Sequence, residues 1–218
     1  MKKFKSIFGI MIFTTALAIN TKIHGQSVHI PICPTQQEWM DKNLDISSLN
    51  DGTPILQAKT NAQWIAACNS KTPAWCFYNN NPSNELKYGK LYNWFAVATG
   101  KLTPIGVGWH VPSYTEFNTL ITNLGGYCES GGKLKSINEW SPPNTGASNS
   151  SGFAALPGGD RRDNGIFENI GGRGGWWSTT TNSLKPTYVS NLYLAWSVAT
   201  AYITENTKCF GFSVRCVR

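Results

Sequence analysis

The spacing of hydrophobic positions changes period along this chain. In "PSYTEFNTLITNLGG" (residues 112–126), Phe117, Leu120, Ile121 and Leu124 recur at helical spacing. Ser113 stands where an N-cap belongs, and Glu116 three residues later completes a capping box. Gly125-Gly126 then stops the helix. "NAQWIAAC" (61–68) predicts another short helix, and "KLYNWFAVAT" (90–99) a third, with Leu91, Phe95 and Ala98 on one stripe. Towards the C-terminus the period falls to two. "CFGFSVRCVR" sets Phe210, Phe212, Val214 and Cys216 against Gly211, Ser213, Arg215 and Val217, which predicts a half-buried strand. "YVSNLYLAW" and "SVATAYIT" read as further strands. Helices come first and antiparallel strands later, an order that predicts an α+β fold rather than a doubly wound parallel sheet. The expected architecture is a single domain with short N-terminal helices and a twisted antiparallel sheet with long loops. Residues 129–175 read as one extended Gly/Asn/Pro-rich loop region, and such loops are common binding elements.

The N-terminus changes the picture of charge. Lys2, Lys3 and Lys5 form a cationic head, followed by an apolar run from Ser6 to Ile19 that is short for a bilayer span. This is the pattern of a secretory signal peptide, cleaved after Ala18 or after Gly25. Residues 1–25 are assigned to it, 26–38 to a lead segment and 39–218 to the domain. Cys33 follows Pro31-Ile32, which does not fit a lipoprotein cleavage site. The expectation is an exported protein (extracellular, outer surface or periplasm) with no transmembrane segment after signal removal. Lys2, Lys3, Lys5 and Lys22 account for four of the seven net positive charges, so +3 remains on the mature chain. No basic run survives, and nucleic acid is not an expected partner.

All nine Trp lie beyond residue 38, in a chain with few charges, which indicates a folded globule rather than a disordered one. The six cysteines, Cys33, Cys68, Cys76, Cys128, Cys209 and Cys216, are an even number in an exported chain and are read as disulfide formers. The short Cys68–Cys76 loop is the first choice of pair.

Candidate chemistry is sparse. Gly171-Gly172-Arg173-Gly174-Gly175 lacks the G-x-G-x-x-G spacing, and a strand-like Trp-Trp-Ser-Thr-Thr follows it, so it is not read as a phosphate cradle. After signal removal only His29 and His110 remain, too few for a multi-histidine zinc site. No metal site and no cofactor are expected. His110 precedes the helix cap and reads as a packing residue. As the base of a hydrolase it would need a neighbouring acid. Asp160, Asp163 and Glu168 offer carboxylates for glycoside hydrolysis, but sequence gives no separation between them. What remains is recognition. Arg161, Asp163, Arg173, Trp176 and Trp177 combine flat apolar faces with hydrogen-bonding groups and are the candidate ligand-binding residues. On a strand the two Trp side chains point to opposite faces, so at most one is expected to be exposed.

The ordered motifs "WMDKNLD", "DGTPI", "YNNNPSN", "YGKLYNWFAV", "GWHVPSYTEF", "GGKLKS", "SPPNTGASNSSGFAALPGGDRRDNGIF", "GWWSTT" and "GFSVRCVR" run from about Trp39 to the C-terminus. In these the chain resembles the domain family named for the major paralogous proteins of Fibrobacter succinogenes. The resemblance implies an exported or surface protein without an assigned activity, with a fold similar to C-type lectins and formylglycine-generating enzymes. Where the family carries Cys-Pro before Gly-Trp-His-Val-Pro, this chain has Thr103-Pro104, then Ile-Gly-Val before Gly108. Cys128 with Cys209 is a candidate replacement bridge. The lectin calcium motifs Glu-Pro-Asn and Trp-Asn-Asp have no counterpart, and no catalytic residue carries over. The expected function is a secreted or surface-associated, non-catalytic recognition module for a glycan or surface protein, with loops 141–175 in contact. The alternatives are a hydrolase-type enzyme using His110 and a structural surface component.

Overall fold

The structure, a computed structural model, describes residues 37–106 and 108–218. The expected signal peptide and Cys33 lie outside the described residues. Local sequence rules account well for the helices. Helix α1 (Asn61–Asn69) starts at a Thr60–Gln63 capping box. After the short α2 (Glu85–Tyr88) and α3 (Trp94–Val97), α4 (Tyr114–Asn123) starts at the Ser113–Glu116 box read from the sequence. Gly125 and Gly126 have φ of +95° and +86° and donate back to the carbonyls of Thr122 and Ile121, a Schellman ending. Phe117, Leu120 and Ile121 are buried, each stabilising the fold by about 1.5–3 kcal/mol over an exposed side chain.

The expected helix at 90–99 is shorter than its stripe suggested. Leu91–Tyr92 is a strand, β3, and the helix is confined to α3. The reason is Asn93, whose Oδ1 accepts from the backbone of Ala96 and so caps the helix there. Ala98 is exposed. Strand β3 pairs with β2 (Ala74–Cys76), which pairs with β1 (Leu56–Gln57), in a small three-stranded sheet.

The larger sheet has the order β5-β4-β6-β7-β8. Its strands are β4 (Gly158–Arg161), β5 (Phe167–Ile170), β6 (Arg173–Thr181), β7 (Tyr188–Ala195) and β8 (Ala201–Thr207). Most neighbours are antiparallel, but β4 and β6 run parallel at Gly159–Gly174. The α+β class therefore holds, with a mixed sheet. The 129–175 region is not one long loop: helix α5 (Tyr127–Leu134) and strands β4 and β5 lie in or across it. The sequence hid α5 because it contains Gly131-Gly132. Side chains there would drive into the backbone of Thr200 and Gly146, and tertiary packing overrides the poor helix propensity. The remaining loop is pinned by buried Lys135, whose Nζ donates to the carbonyls of Thr145, Ala195 and Val198. Burial pushes this amine down to about 8.

Both faces of β6 are covered. On one, Trp176, Leu192 and Leu194 pack with Trp39, Phe117, Leu120 and Phe153. On the other, Trp177 and Val189 pack with Trp75, Tyr92, Val97 and Phe212. The C-terminal segment threads between these layers. Residues 211–217 are buried on both alternating sets, not half-buried, and touch the sheets and Trp39 through single bridges. Its last residues also pair with the start of the described chain, with mutual bonds between Glu38 and Arg218.

The disulfide expectations are corrected. Cys68, in the last turn of α1, is bonded to Cys209, 141 residues away. The expected Cys68–Cys76 and Cys128–Cys209 pairs are therefore absent. Cys76 and Cys216 are buried thiols and Cys128 is an exposed one. Cys76 sits inside the core cluster beneath α1, where burial pushes its thiol up to about 12 despite the nearby Arg161. It packs there as a small apolar side chain.

Candidate functional site

The stretch "GGDRRDNG" forms β4 and the turn into β5, and strand alternation sorts its arginines. Arg161 points inward and is fully buried. Its Nε donates to Gly165 O (3.0 Å), one Nη to Ala58 O (2.8 Å) and the other to Asn61 Oδ1 (3.3 Å). The guanidinium lies between Trp64 and Phe167. Arg161 is thus a clasp between the β4–β5 turn and α1, not a ligand contact. Asp163 is exposed in the turn, where its Oδ1 accepts from Asn164 N.

Trp176 and Trp177 do point to opposite faces, but neither is exposed, because the central strand is sandwiched. Trp176 Nε1 donates to Asn43 Oδ1 at 2.8 Å, and Trp177 Nε1 to Tyr92 O at 2.7 Å. Neither therefore offers a face to solvent, and neither serves as the ligand contact read from the sequence. Glycines make this packing possible: a Cβ on Gly175 would stand 2.6 Å from the Phe212 ring.

Arg173, at the start of β6, is exposed, and its guanidinium lies 5.7 Å from the centre of the Tyr193 ring. Around it the sheet leaves a depression of about 240 Å³. Asp160 of β4 and Arg162 just past its end form one side, the Gly174-Gly175 backbone of β6 lies between, and Tyr193 of β7 and Thr204–Asn206 of β8 form the other. Phe210 and Phe212 line it as well. Of the five residues singled out from sequence, only Arg173 lines this depression.

Electrostatics in the depression centre on one arginine shared by two acids. Asp160 and Glu168 face each other across β4 and β5. Arg162 Nη2 lies 2.7 Å from Glu168 Oε2, and its Nε 3.1 Å from Asp160 Oδ1. Asp160 Oδ2 accepts from Asn169 at 2.6 Å, whereas the buried Oδ1 has no aligned donor. Burial pushes the Asp160 carboxyl up, against the Asn169 bond and Arg162. The Tyr193 hydroxyl is pushed up too, chiefly by burial, with Arg173 opposing. On β7 and β8, Asn191 Oδ1 accepts from Thr204 Oγ1 (3.2 Å) and Asn206 Nδ2 (2.8 Å), which fixes these side chains at the rim.

His110 sits apart from the depression. Its Nδ1 donates to Gly108 O at 3.0 Å, and its Nε2 meets Glu116 Oε1 at 2.6 Å. Ser113 Oγ donates to the other Glu116 oxygen at 2.8 Å. A serine, an acid and a histidine are therefore adjacent, but the carboxylate stands between the other two. Nε2 of His110 faces the Glu116 carboxylate rather than Ser113, so the ring is not placed to take a proton from the serine. Burial lowers the His110 pKa, but the bonds to Glu116 and Gly108 outweigh it and the net direction is up.

No group of three or more His, Cys, Asp or Glu side chains among the described residues is placed to hold a metal ion. No helix among them is long and apolar enough to cross a membrane.

The sequence pattern did carry a signal for the depression. Asp160 and Arg162 are two apart, so an extended backbone sets them on one face and Arg161 on the other. Tyr193 and Tyr202 are large aromatics on a half-exposed strand face.

The fold and this site define the molecule as an α+β domain with a buried central tryptophan pair and an open, polar and aromatic depression on its larger sheet. The chain belongs to the Fibrobacter succinogenes major domain family, whose pattern matches residues 34–218. No curated protein and no solved structure matches the chain.

Proposed function

We propose that this chain is an exported, non-catalytic recognition domain with a C-type-lectin-like fold that binds a carbohydrate or cell-surface polymer in the Arg173–Tyr193 depression. The observation that carries the reading is the pairing of a half-buried aromatic ring with polar groups held rigid by their own hydrogen bonds. Tyr193 offers a flat apolar face, Arg173 beside it offers guanidinium donors, and Thr204 and Asn206, held on Asn191, line the other side. A sugar has the same division into an apolar ring face and a hydroxyl edge. The site lies on strands rather than mobile loops, so little ordering is needed on binding. Export is supported by the N-terminal pattern and by the Cys68–Cys209 bond, since disulfides persist in oxidising compartments.

A glycan array with the purified mature domain tests the reading. Retention on at least one saccharide class, lost in Tyr193→Ala with unchanged circular dichroism, is the expected result. Flat arrays, or retention unaffected by Tyr193→Ala, would overturn it.

A further inference from the structure

We infer that the ligand is a linear oligosaccharide segment lying across the strands, and that Tyr202 at the sheet edge holds its outer unit. This rests on the reading of the depression as a saccharide site and adds the ligand's length and direction.

Strand register sets the two tyrosines in line. Gly175 pairs with Tyr193, and Tyr193 pairs with Tyr202, so these three positions form a row perpendicular to the strands on one face. Asp160 follows Gly159, which pairs with Gly174, so the row continues onto β4. The depression itself runs from Asp160 on β4 past β6 and Tyr193 on β7 to Thr204–Asn206 on β8. Four adjacent strands at the usual spacing span roughly 14 Å.

One end is closed and the other open. At the β4 end, Arg162 ties Asp160 to Glu168, and Phe210 lies under the Arg162 guanidinium at 5.0 Å. At the β8 end there is no further strand, since β8 is the edge of the sheet. Tyr202 stands there 40% exposed, with its ring centre 6.1 Å from that of Tyr193. The two rings are tilted by 57° to each other, and Tyr202 stands beside the depression rather than in its lining, so a chain that enters at Tyr193 and leaves over the edge meets them in succession. A compact monosaccharide would leave the second ring unused. An extended peptide would instead pair with the free backbone of β8, an arrangement that has no need of the tyrosines.

Calorimetry with the full domain tests this on three series: β-1,4-linked glucose, β-1,4-linked N-acetylglucosamine and α-1,4-linked galacturonate, each from monomer to hexamer. In the series that binds, affinity is expected to rise by about tenfold between monomer and tetramer, the scale of one added aromatic contact. Tyr202→Ala should abolish that rise while monomer binding persists, and Tyr193→Ala should abolish binding at every length. Equal affinity at all lengths, or a length dependence untouched by Tyr202→Ala, would overturn the inference and leave the saccharide reading standing. Failure of every series, or binding of an extended peptide instead, would overturn both.

Discussion

The guanidinium of Arg161 lies 4.8 Å from the ring centre of Trp64 and donates to carbonyls on two separate segments. This contact joins the β4–β5 turn to α1. Arg161→Ala should leave the Ala58 and Gly165 carbonyls without that donor and open a cavity between two aromatic rings. We expect a loss of about 2–4 kcal/mol in a urea titration. Arg161→Lys should recover little, because one ammonium cannot span donors facing different directions. Near-wild-type stability in Arg161→Ala would mean that the clasp is not structural.

The two tryptophans and Tyr193 should separate cleanly. Trp176→Ala and Trp177→Ala each empty a fully buried site and should cost about 3–5 kcal/mol. Tyr193→Ala removes a half-buried side chain at the rim and should cost clearly less. Thermal melts of the three variants would check this order.

The cross-link predicts a specific peptide map. Non-reducing digestion followed by mass spectrometry should yield a Cys68–Cys209 linked pair, with Cys76 alkylated only after denaturation and Cys128 alkylated in the native state. Because the bond closes a loop of 141 residues, Cys68→Ser/Cys209→Ser should lower stability by about 3–5 kcal/mol. A Cys68–Cys76 peptide would contradict the fold at α1.

The His110–Glu116 pair sets a pH window. His110 is raised from its ordinary 6.5, so its contribution is full below that value and is lost as pH rises through the folded pKa. Glu116 shifts the other way. Burial raises its pKa, but hydrogen bonds from Ser113 and His110 outweigh it and lower it from 4.5. Its contribution is present above 4.5 and is lost as pH falls through the lowered value. The pair therefore helps most between about pH 4.5 and 6.5, by no more than about 1 kcal/mol because both groups are partly exposed. Melting temperatures across pH should show this plateau in the native chain. In His110→Gln the decline above pH 6.5 should flatten.

Local chemistry made the capped helices legible. Ser113, with Glu116 three residues on, gave the start of α4 and Gly125-Gly126 its stop, while the Thr60–Gln63 box at α1 is the same signal seen only in the structure. The strands at 188–195 and 201–207 were equally plain from their β-branched and aromatic content. Tertiary packing hid the rest. Gly131 and Gly132 belong to a helix only because the backbones of Thr200 and Gly146 press against them. Trp176 and Trp177 looked like a binding pair because nothing in their own segment reveals that both sheet faces are covered. The arginine that lines the depression beside Asp160 is Arg162, one position from the residue chosen. On a strand, one position is the difference between core and surface.

The central claim is that recognition takes place in the depression beside Arg173 and Tyr193, not at the tryptophan pair. Titration of the isotope-labelled domain with a retained saccharide, followed by backbone amide shifts, tests it most directly. The account predicts the largest shifts at Gly174, Gly175, Tyr193 and Thr204–Asn206, with those around His110 unchanged. Shifts centred on His110, Ser113 and Glu116, with the depression silent, would contradict it.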